Sequence, residues 1–528
     1  MLFSERLQRL GVRTTPQKFG PKSVPTYKVS PHVNTFAIPE QSLTGRYHLY
    51  ILTPENTPFG RLNNDDHAAL AQLLHLPMVK YFTLSCPEKG APDANFKDAA
   101  ISMANVKASE DIYVCPLKED YLSEYSDFPL YRWTQHPRVV NPVLEGRYEE
   151  ILPVTSEIVP TMNCSYRCGI NGIGAGCSYT EAKKLLGVWN APNRFDDPRL
   201  HMQTWDIMKT IIDKLIGAGV YGFIFTGGGE PGLNKFTVPG IRYAREKGAD
   251  IELFSNGSVL TANFIDSIIE ANPQVVRISL NAGTEEGHKS HHNYLNPKAS
   301  HFNTVVRNIE MFAEGKAKSG SPQSFGIAYL ISNRNRNNLE QAIVSLLSII
   351  DKFKGGIDFV TVRPEIDYFG DKRIDPEIFM DETKVAERLA CEFISRGVSF
   401  RFLPRIPAEG KIEKGYDFCR AVRIFGEVGP SGEMFQCCDR NAHPHYRVGN
   451  LLESTIYDIW HSKEYQSLLD KMNNAALSIC PPICKPHLLN IVFNDIEKLR
   501  AEGEMSRVVE WIKDQQEMLP KHLLHNLL

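Results

Sequence analysis

The chain has 528 residues, 42% of them hydrophobic and 23% charged, with a formal net charge of −3. That length is too great for one ordinary core and predicts roughly two to four domains. The near-neutral balance gives no global pull toward nucleic acid or an anionic membrane. No apolar run approaches a membrane span (342–350 is among the longest), and the opening MLFSERLQRLGVRTT lacks the apolar core of a signal peptide. A cytoplasmic globular protein is expected, with neither nucleic acid nor membrane as partner. Eleven cysteines in such a chain point to metal ligands rather than disulfides. Most fall into two groups: Cys164, Cys168 and Cys177, then Cys419, Cys437, Cys438, Cys480 and Cys484. Cys86, Cys115 and Cys391 stand alone and read as small buried hydrophobes.

Residues 1–45 are broken by Pro16, Pro21, Pro25 and Pro31 and read as irregular. A strand is expected at 47–52, a helix at 66–76 capped by Asn64 or Asp65, and a second strand at 79–84. Residues 1–150 thus form an α+β region of unassigned role. From 151 the rhythm changes. Strands at 157–160, 221–226, 251–254, 275–280, 325–331 and 359–363 alternate with helices at 202–218, 236–247, 262–270, 304–314 and 338–353, and a further helix begins at 181–186. Six such units argue for an α/β fold, a partial (β/α)6 barrel over 151–370. After Tyr368 the pattern changes to a helix at 382–395, a strand at 399–403 and a hairpin of 424–428 with 434–438. A helix follows at 456–469. This gives a cysteine-rich extension over 371–485 and C-terminal helices over 486–528, whose stripe of Val508, Val509, Trp511 and Ile512 is expected to close the barrel.

The chemistry is written in two short runs. TMNCSYRCGINGIGAGCSYT, residues 161–180, follows the first strand, and Phe225-Thr226-Gly227-Gly228-Gly229-Glu230-Pro231 follows the second. Three thiolates with an open fourth position suit an iron–sulfur cluster that binds a small molecule; a zinc site is the alternative. Both runs sit at strand C-termini, where related folds carry their chemistry. Together they resemble the radical S-adenosylmethionine (SAM) enzymes. The usual CX3CX2C spacing is departed from: CX3C runs from Cys164 to Cys168, but eight residues precede Cys177. The glycine-rich insert 171–176 can turn sharply enough to bring Cys177 back. The resemblance implies that Cys164, Cys168 and Cys177 hold a [4Fe–4S] cluster whose open iron is chelated by SAM. It implies that Gly228, Gly229 and Glu230 meet the methionine amine, and that Ser255, Asn256 and Ser279 lie near the ribose or carboxylate. Arg363 would meet the SAM carboxylate or a substrate anion. Loop capping is an equal reading for each polar residue outside the glycine run. Asp367 and Tyr368 are the candidate acid/base residues. His288, His291 and His292 are expected in a solvated loop, with the substrate mouth as the other possibility.

In the second group, Cys419, twelve residues, Gly432, four residues and Cys437 match the opening of the auxiliary-cluster extensions called SPASM and twitch domains. Gly449, Asn450, Ile459 and Trp460 resemble them too. Five cysteines rather than seven favour one auxiliary [4Fe–4S] cluster, held by Cys419, Cys437, Cys480 and Cys484, with Cys438 spare or a substitute for Cys437. His443 and His445 keep zinc as the alternative. The resemblance implies reductive cleavage of SAM to a 5′-deoxyadenosyl radical, an electron from a flavodoxin- or ferredoxin-type reductant, and oxidative modification of a peptide or protein. A small alcohol or sugar is the alternative substrate. The segment 62–70 resembles the start of peptide-maturing members, in which a small module holds the substrate's leader. A zinc-stabilised binding protein without catalysis and a non-radical iron–sulfur electron carrier are the readings outside this family.

Overall fold

The structure is a computed structural model. It describes residues 132–518 apart from 170–176, 178, 180–201, 366–374, 395, 403–413, 415, 441–442, 476, 478–479 and 481–483, together with five short strands before residue 132. Those strands are β1 (Arg13–Pro16), β2 (Pro25–Lys28), β3 (Tyr47–Leu49), β4 (Phe82–Thr83) and β5 (Asp111–Pro116). Four of them form an antiparallel sheet in the order β1-β2-β5-β3. The strands expected at 47–52 and 79–84 are thus present in shorter form; the helices expected at 66–76 and 181–186 lie outside the described residues.

Beyond residue 132, helix α1 (Pro137–Glu145) leads into β6 (Thr155–Ile158). Then follow α2 (Trp205–Gly217), β7 (Gly222–Phe225), α3 (Thr237–Glu246), β8 (Asp250–Ser255), α4 (Ala262–Ala271) and β9 (Val275–Ser279). Next come α5 (Glu285–His292), α6 (His301–Ser319), β10 (Ser324–Ile331), α7 (Leu339–Lys352), β11 (Phe359–Pro364), α8 (Pro376–Ile394) and β12 (Ser399–Phe402). The C-terminal part holds β13 (Phe425–Val428), β14 (Glu433–Phe435), β15 (Arg447–Asn450), α9 (Ile456–Trp460), α10 (Lys463–Asn474), α11 (His487–Ala501) and α12 (Met505–Met518).

Local chemistry explains these elements. Thr204 caps α2 by accepting from the Ile207 N–H, and Met208, Ile211, Ile212 and Leu215 give the helix one buried stripe. Such a cap contributes about 1 kcal/mol. In the strands, alternate residues face the helices: Phe223 and Phe225, Ile251 and Leu253, Val276 and Ile278, Phe325 and Ile327 all lie in the main core. The residues between them face the other side, the lumen, where the Arg277 guanidinium lies 3.6 Å over the Phe254 ring.

Strand order is β15-β14-β13-β6-β7-β8-β9-β10-β11-β12-β4. From β6 to β12 spatial order follows chain order without reversal, and every neighbour is parallel. Right-handed crossovers therefore put every connecting helix on one side. Neighbouring helices touch in sequence, α2 with α3, α3 with α4, α4 with α6, α6 with α7 and α7 with α8. That is a partial barrel; a doubly wound sheet would reverse its order.

Two features extend the six strands expected. β12, expected in the C-terminal extension, continues the sheet as the strand after β11. β13 returns to pair in parallel with the other edge, at β6. Among the described residues eight strands are thus consecutive and parallel. The antiparallel strands β14 and β4 cover the two ends of this run, which keeps its edges from remaining bare.

The tail packs elsewhere than expected. α11 and α12 build a second core with Trp133, α1 and residues 421–425, so Val508 and Ile512 meet Val139 and Phe493 rather than the barrel core. Trp133 sets its edge on Phe493 at 5.1 Å. Among the described residues, no helix is long and apolar enough to cross a membrane.

Candidate active site

The cysteine loop leaves the C-terminal end of β6 and lies directly on the glycine run after β7. A Cβ built on Gly229 would stand 2.0 Å from the Asn163 carbonyl oxygen and 2.6 Å from the Thr161 carbonyl oxygen. One on Gly228 would meet Met162 Sδ at 2.3 Å and Tyr179 at 2.7 Å. The Glu230 N–H donates to the Asn163 carbonyl at 2.6 Å. From the sequence, these glycines were expected to let a ligand approach. In the structure the missing side chains make room for the chain's own cysteine loop, so the two motifs form one mechanical unit.

Glu230 is 1% exposed. Its Oε1 accepts from the Ser255 hydroxyl at 2.7 Å and the Gly232 N–H at 3.0 Å, and its Oε2 accepts from the Asn256 N–H at 2.7 Å. Burial raises its pKa above the usual carboxylate value, with the three donors opposing. Among the described residues no ion pair neutralises it. A carboxylate offers about four acceptor positions, and three are in use, so the group suits one further donor, ideally an ammonium.

The three thiols take separate stations. Cys164 Sγ lies 3.6 Å from the Asn256 amide nitrogen. Cys168 Sγ lies 3.4 Å from His292 Nδ1. Cys177 packs half-buried against the cluster of Val159, Met162, Tyr179 and Phe435. All are free thiols. Among the described residues no three His, Cys, Asp or Glu side chains are gathered tightly enough for a single metal ion. A four-iron cluster is broader than one ion and carries its ligands farther apart.

The histidines are not in a solvated loop. His288, His291 and His292 are buried on α5, at 0%, 2% and 5% exposure. The stretch after that helix pairs with the cysteine loop through a bridge between Tyr166 and Tyr294. A helical signal was present in the sequence: Thr284 caps α5, Glu285 and Glu286 fill its first turn, and Lys289, His291 and His292 its last. Tyr166 of the cysteine loop folds over His288 and His292, and His291 turns to Ser332 after β10, contacts that no local pattern reveals.

Ser279 and Arg363 end β9 and β11, on the same rim but three and five strands round from β6. Asp367 and Tyr368 lie outside the described residues. Two lumen carboxylates escaped the sequence reading. Glu157 on β6 sits opposite Glu427 on β13. Tyr179 OH donates to Glu427 at 3.2 Å, Lys485 Nζ stands 3.7 Å from Glu157, and the Lys485 N–H donates to Asp439 at 2.6 Å. This polar seam joins the first cysteine loop to the second group. Its signal was a glutamate at the third position of two short strands, TSEI and FGEV.

In the second group Cys419 and Cys437 are buried in one cluster with Tyr416, Val422, Met472 and Leu477, and Cys480 packs on it. Burial pushes the Cys419 thiol up to about 12, with the charges of Cys437 and Cys480 adding, and pushes Cys480 up to about 11, with Cys437 adding. Burial also raises Cys484 well above its ordinary value, where Cys419 and Cys437 again contribute. Three buried thiols and the half-buried Cys480, near enough for the charge of one to raise the pKa of another, resist becoming thiolates unless a cation joins them, which fits an iron–sulfur ligand set. Cys438 packs in the core of Trp133 and the tail helices, though its thiol still lies beside that of Cys437 and the Asp439 carboxylate. His445 is exposed at the surface.

The chain's residues 158–345 match the Radical SAM superfamily, and residues 419–485 match SPASM, an iron–sulfur cluster-binding domain. The chain therefore carries a radical SAM domain over residues 158–345 and a SPASM domain over residues 419–485. SAM and a [4Fe–4S] cluster are its cofactors, with auxiliary iron–sulfur binding in the second domain. No curated protein matches the chain. Among solved structures it is similar to SuiB of Streptococcus suis bound to precursor peptide SuiA, at 17% identity and TM-score 0.45, over 66% of this chain and 76% of that one. It is also similar to anSMEcpe with bound AdoMet and Cp18Cys peptide, at 12% identity and TM-score 0.42, over 67% of this chain and 99% of that one. BtrN in complex with AdoMet and 2-DOIA is similar at 15% identity and TM-score 0.32, over 63% of this chain and 93% of that one.

Proposed function

We propose that this chain reductively cleaves SAM and oxidatively modifies a peptide or protein. The observation that carries the reading is the joint between the two motifs, where the Glu230 N–H holds the Asn163 carbonyl at 2.6 Å and a cysteine loop lies over an unneutralised buried carboxylate. Cys164, Cys168 and Cys177 hold the first cluster. Glu230 meets the methionine ammonium beside Gly228 and Gly229, with Ser255, Asn256, Ser279 and Arg363 around the rest of SAM. Cys419, Cys437, Cys480 and Cys484 hold an auxiliary cluster. When bound, these groups supply the electron that splits the sulfonium, the 5′-deoxyadenosyl radical that takes a substrate hydrogen atom, and an acceptor for the electron the substrate then loses.

The chain's own part is placement and exclusion. Glu230 offers charge to the ammonium and, through Ser255 and the Asn256 N–H, ties the ends of β7 and β8 together. The Asn256 amide contacts Cys164 and, at 3.4 Å, the Ser165 hydroxyl, steadying the loop. The buried rings of Tyr166, Tyr179 and His292 keep water from the mouth. A flavodoxin- or ferredoxin-type protein delivers the electron. A peptide or protein substrate is favoured over a small alcohol or sugar because residues 1–150 lie outside both cofactor regions and include a four-stranded sheet of their own.

The test is hydrogen transfer. Reconstituted enzyme is incubated without oxygen with SAM, dithionite and a perdeuterated lysate of the native cells, separated by size. Deuterium is expected in 5′-deoxyadenosine from the peptide and protein fraction. Label from the small-molecule fraction alone would overturn the substrate class, and no 5′-deoxyadenosine at all would overturn the whole reading.

A further inference from the structure

The last turn of α5 brings a histidine ring against one of the three thiols. Asn293 closes the helix with φ of +50°. The Arg167 N–H then donates to the Asn293 carbonyl at 2.9 Å, and the Leu295 N–H to the Ser165 carbonyl at 3.0 Å. These bonds clamp the cysteine loop to the end of α5. The His292 ring stacks on Tyr166, centroids 4.3 Å apart, and its two nitrogens face different partners.

Those partners fix the tautomer. The Leu330 N–H donates to Asn281 Oδ1 at 2.9 Å. A backbone N–H only donates, so the amide cannot be turned over, and the Asn281 Nδ2 donor must face His292 Nε2, 3.4 Å away. Nε2 is then the lone-pair nitrogen of a neutral ring, and Nδ1 bears the hydrogen. Nδ1 is the nitrogen 3.4 Å from Cys168 Sγ. As a thiol, Cys168 also donates to the His292 carbonyl at 3.3 Å. Ligation to iron removes that hydrogen and leaves the sulfur an acceptor only, which suits the Nδ1–H.

We propose that His292 is a positioning residue that donates a hydrogen bond from Nδ1 to Cys168 Sγ and thereby raises the reduction potential of the cluster Cys168 holds. The inference rests on Cys168 being a ligand, as argued above. Reduction adds negative charge that spreads onto the ligating sulfurs, so a donor there favours the reduced form. The contact is partly buried, with His292 itself 5% exposed, and a hydrogen bond to a charged group is stronger than a neutral one.

Two variants and one spectrum test it. His292→Phe keeps a ring against Tyr166 and removes the donor; His292→Asn returns an N–H near the Nδ1 position. In an EPR-monitored titration of the reconstituted full chain, the Phe variant is expected to need a more negative potential. The expected change is about tenfold in the reduced-to-oxidised ratio, ~59 mV for one electron. The Asn variant is expected to recover part of that shift. Independently, a long-range ¹H–¹⁵N spectrum of the iron-free chain with labelled histidine is expected to give the Nδ1–H pattern for residue 292. An Nε2–H pattern, or a Phe variant with full iron and unchanged potential, overturns the hydrogen bond while leaving the proposed function standing. A Cys168→Ala variant that keeps the SAM-binding cluster overturns the ligand assignment itself, and this inference with it.

Discussion

Gly229→Ala is expected to cut SAM cleavage roughly a hundredfold while leaving the auxiliary cluster in place. The new methyl would sit 2.0 Å from the Asn163 carbonyl oxygen and 2.6 Å from Asn163 N, both backbone atoms that no side-chain rotation can clear. Either β7 or the cysteine loop must move, and the bond from the Glu230 N–H to the Asn163 carbonyl goes with it. Overpacking of this kind costs about 1–3 kcal/mol. The rate falls as well, because a displacement of about 1 Å at a reacting centre costs roughly a hundredfold. Gly217→Ala is the control: a Cβ there meets nothing within 4 Å, and the residue ends α2. It is expected to match wild type or gain about 0.5–1 kcal/mol. Urea denaturation, iron content and 5′-deoxyadenosine yield on the two variants decide the matter. A Gly229→Ala enzyme with wild-type iron and yield would show that the ledge does not seat the loop.

Cys437→Ala and Cys438→Ala are expected to part company although the residues are neighbours. Cys437 lies with Cys419 in one buried cluster, and Cys438 lies with Trp133 and the tail helices in another. Cys437→Ala is therefore expected to lose about one [4Fe–4S] equivalent of iron and sulfide. Cys438→Ala keeps its iron and loses stability through the small cavity left in the tail core, about 1 kcal/mol. Metal and sulfide counting with a thermal melt separates the two. The reverse pattern would make Cys438 the ligand.

Much of this architecture was legible in the sequence because its signals are local. The alternation of strands and helices from 155 to 364 follows from the apolar periodicity of each segment, and the order of units then fixes a one-way winding. What stayed hidden depends on partners distant in the chain. Phe425–Val428 looks like half of a hairpin, and it is, but its other edge pairs with Thr155–Ile158. No feature of either segment announces that match. The tail stripe of Val508 and Ile512 signals burial without naming the surface that provides it, and Trp133 and Val139 proved to be that surface.

The site divides along the same line. Cysteine spacing and the glycine run were readable, since both are requirements of residue type. Which of two adjacent cysteines joins the other thiols was not, because both sit at a turn, closed by the Arg440 N–H on the Cys437 carbonyl, and the sequence does not say which core lies where. The glycines declared a close approach, but only coordinates could identify Asn163 as the group approaching. His292 reads as part of a solvated loop until Tyr166 is laid over it.

The most direct measurement is iron content together with SAM cleavage in a Cys164/Cys168/Cys177→Ala triple variant, set beside wild type. The arrangement of the two cysteine groups predicts that the variant loses one cluster, keeps the iron held near Cys419 and Cys437, and forms no 5′-deoxyadenosine. Full iron, or SAM cleavage undiminished, would mean that the loop seated on Gly228 and Gly229 is not where the reactive cluster is held.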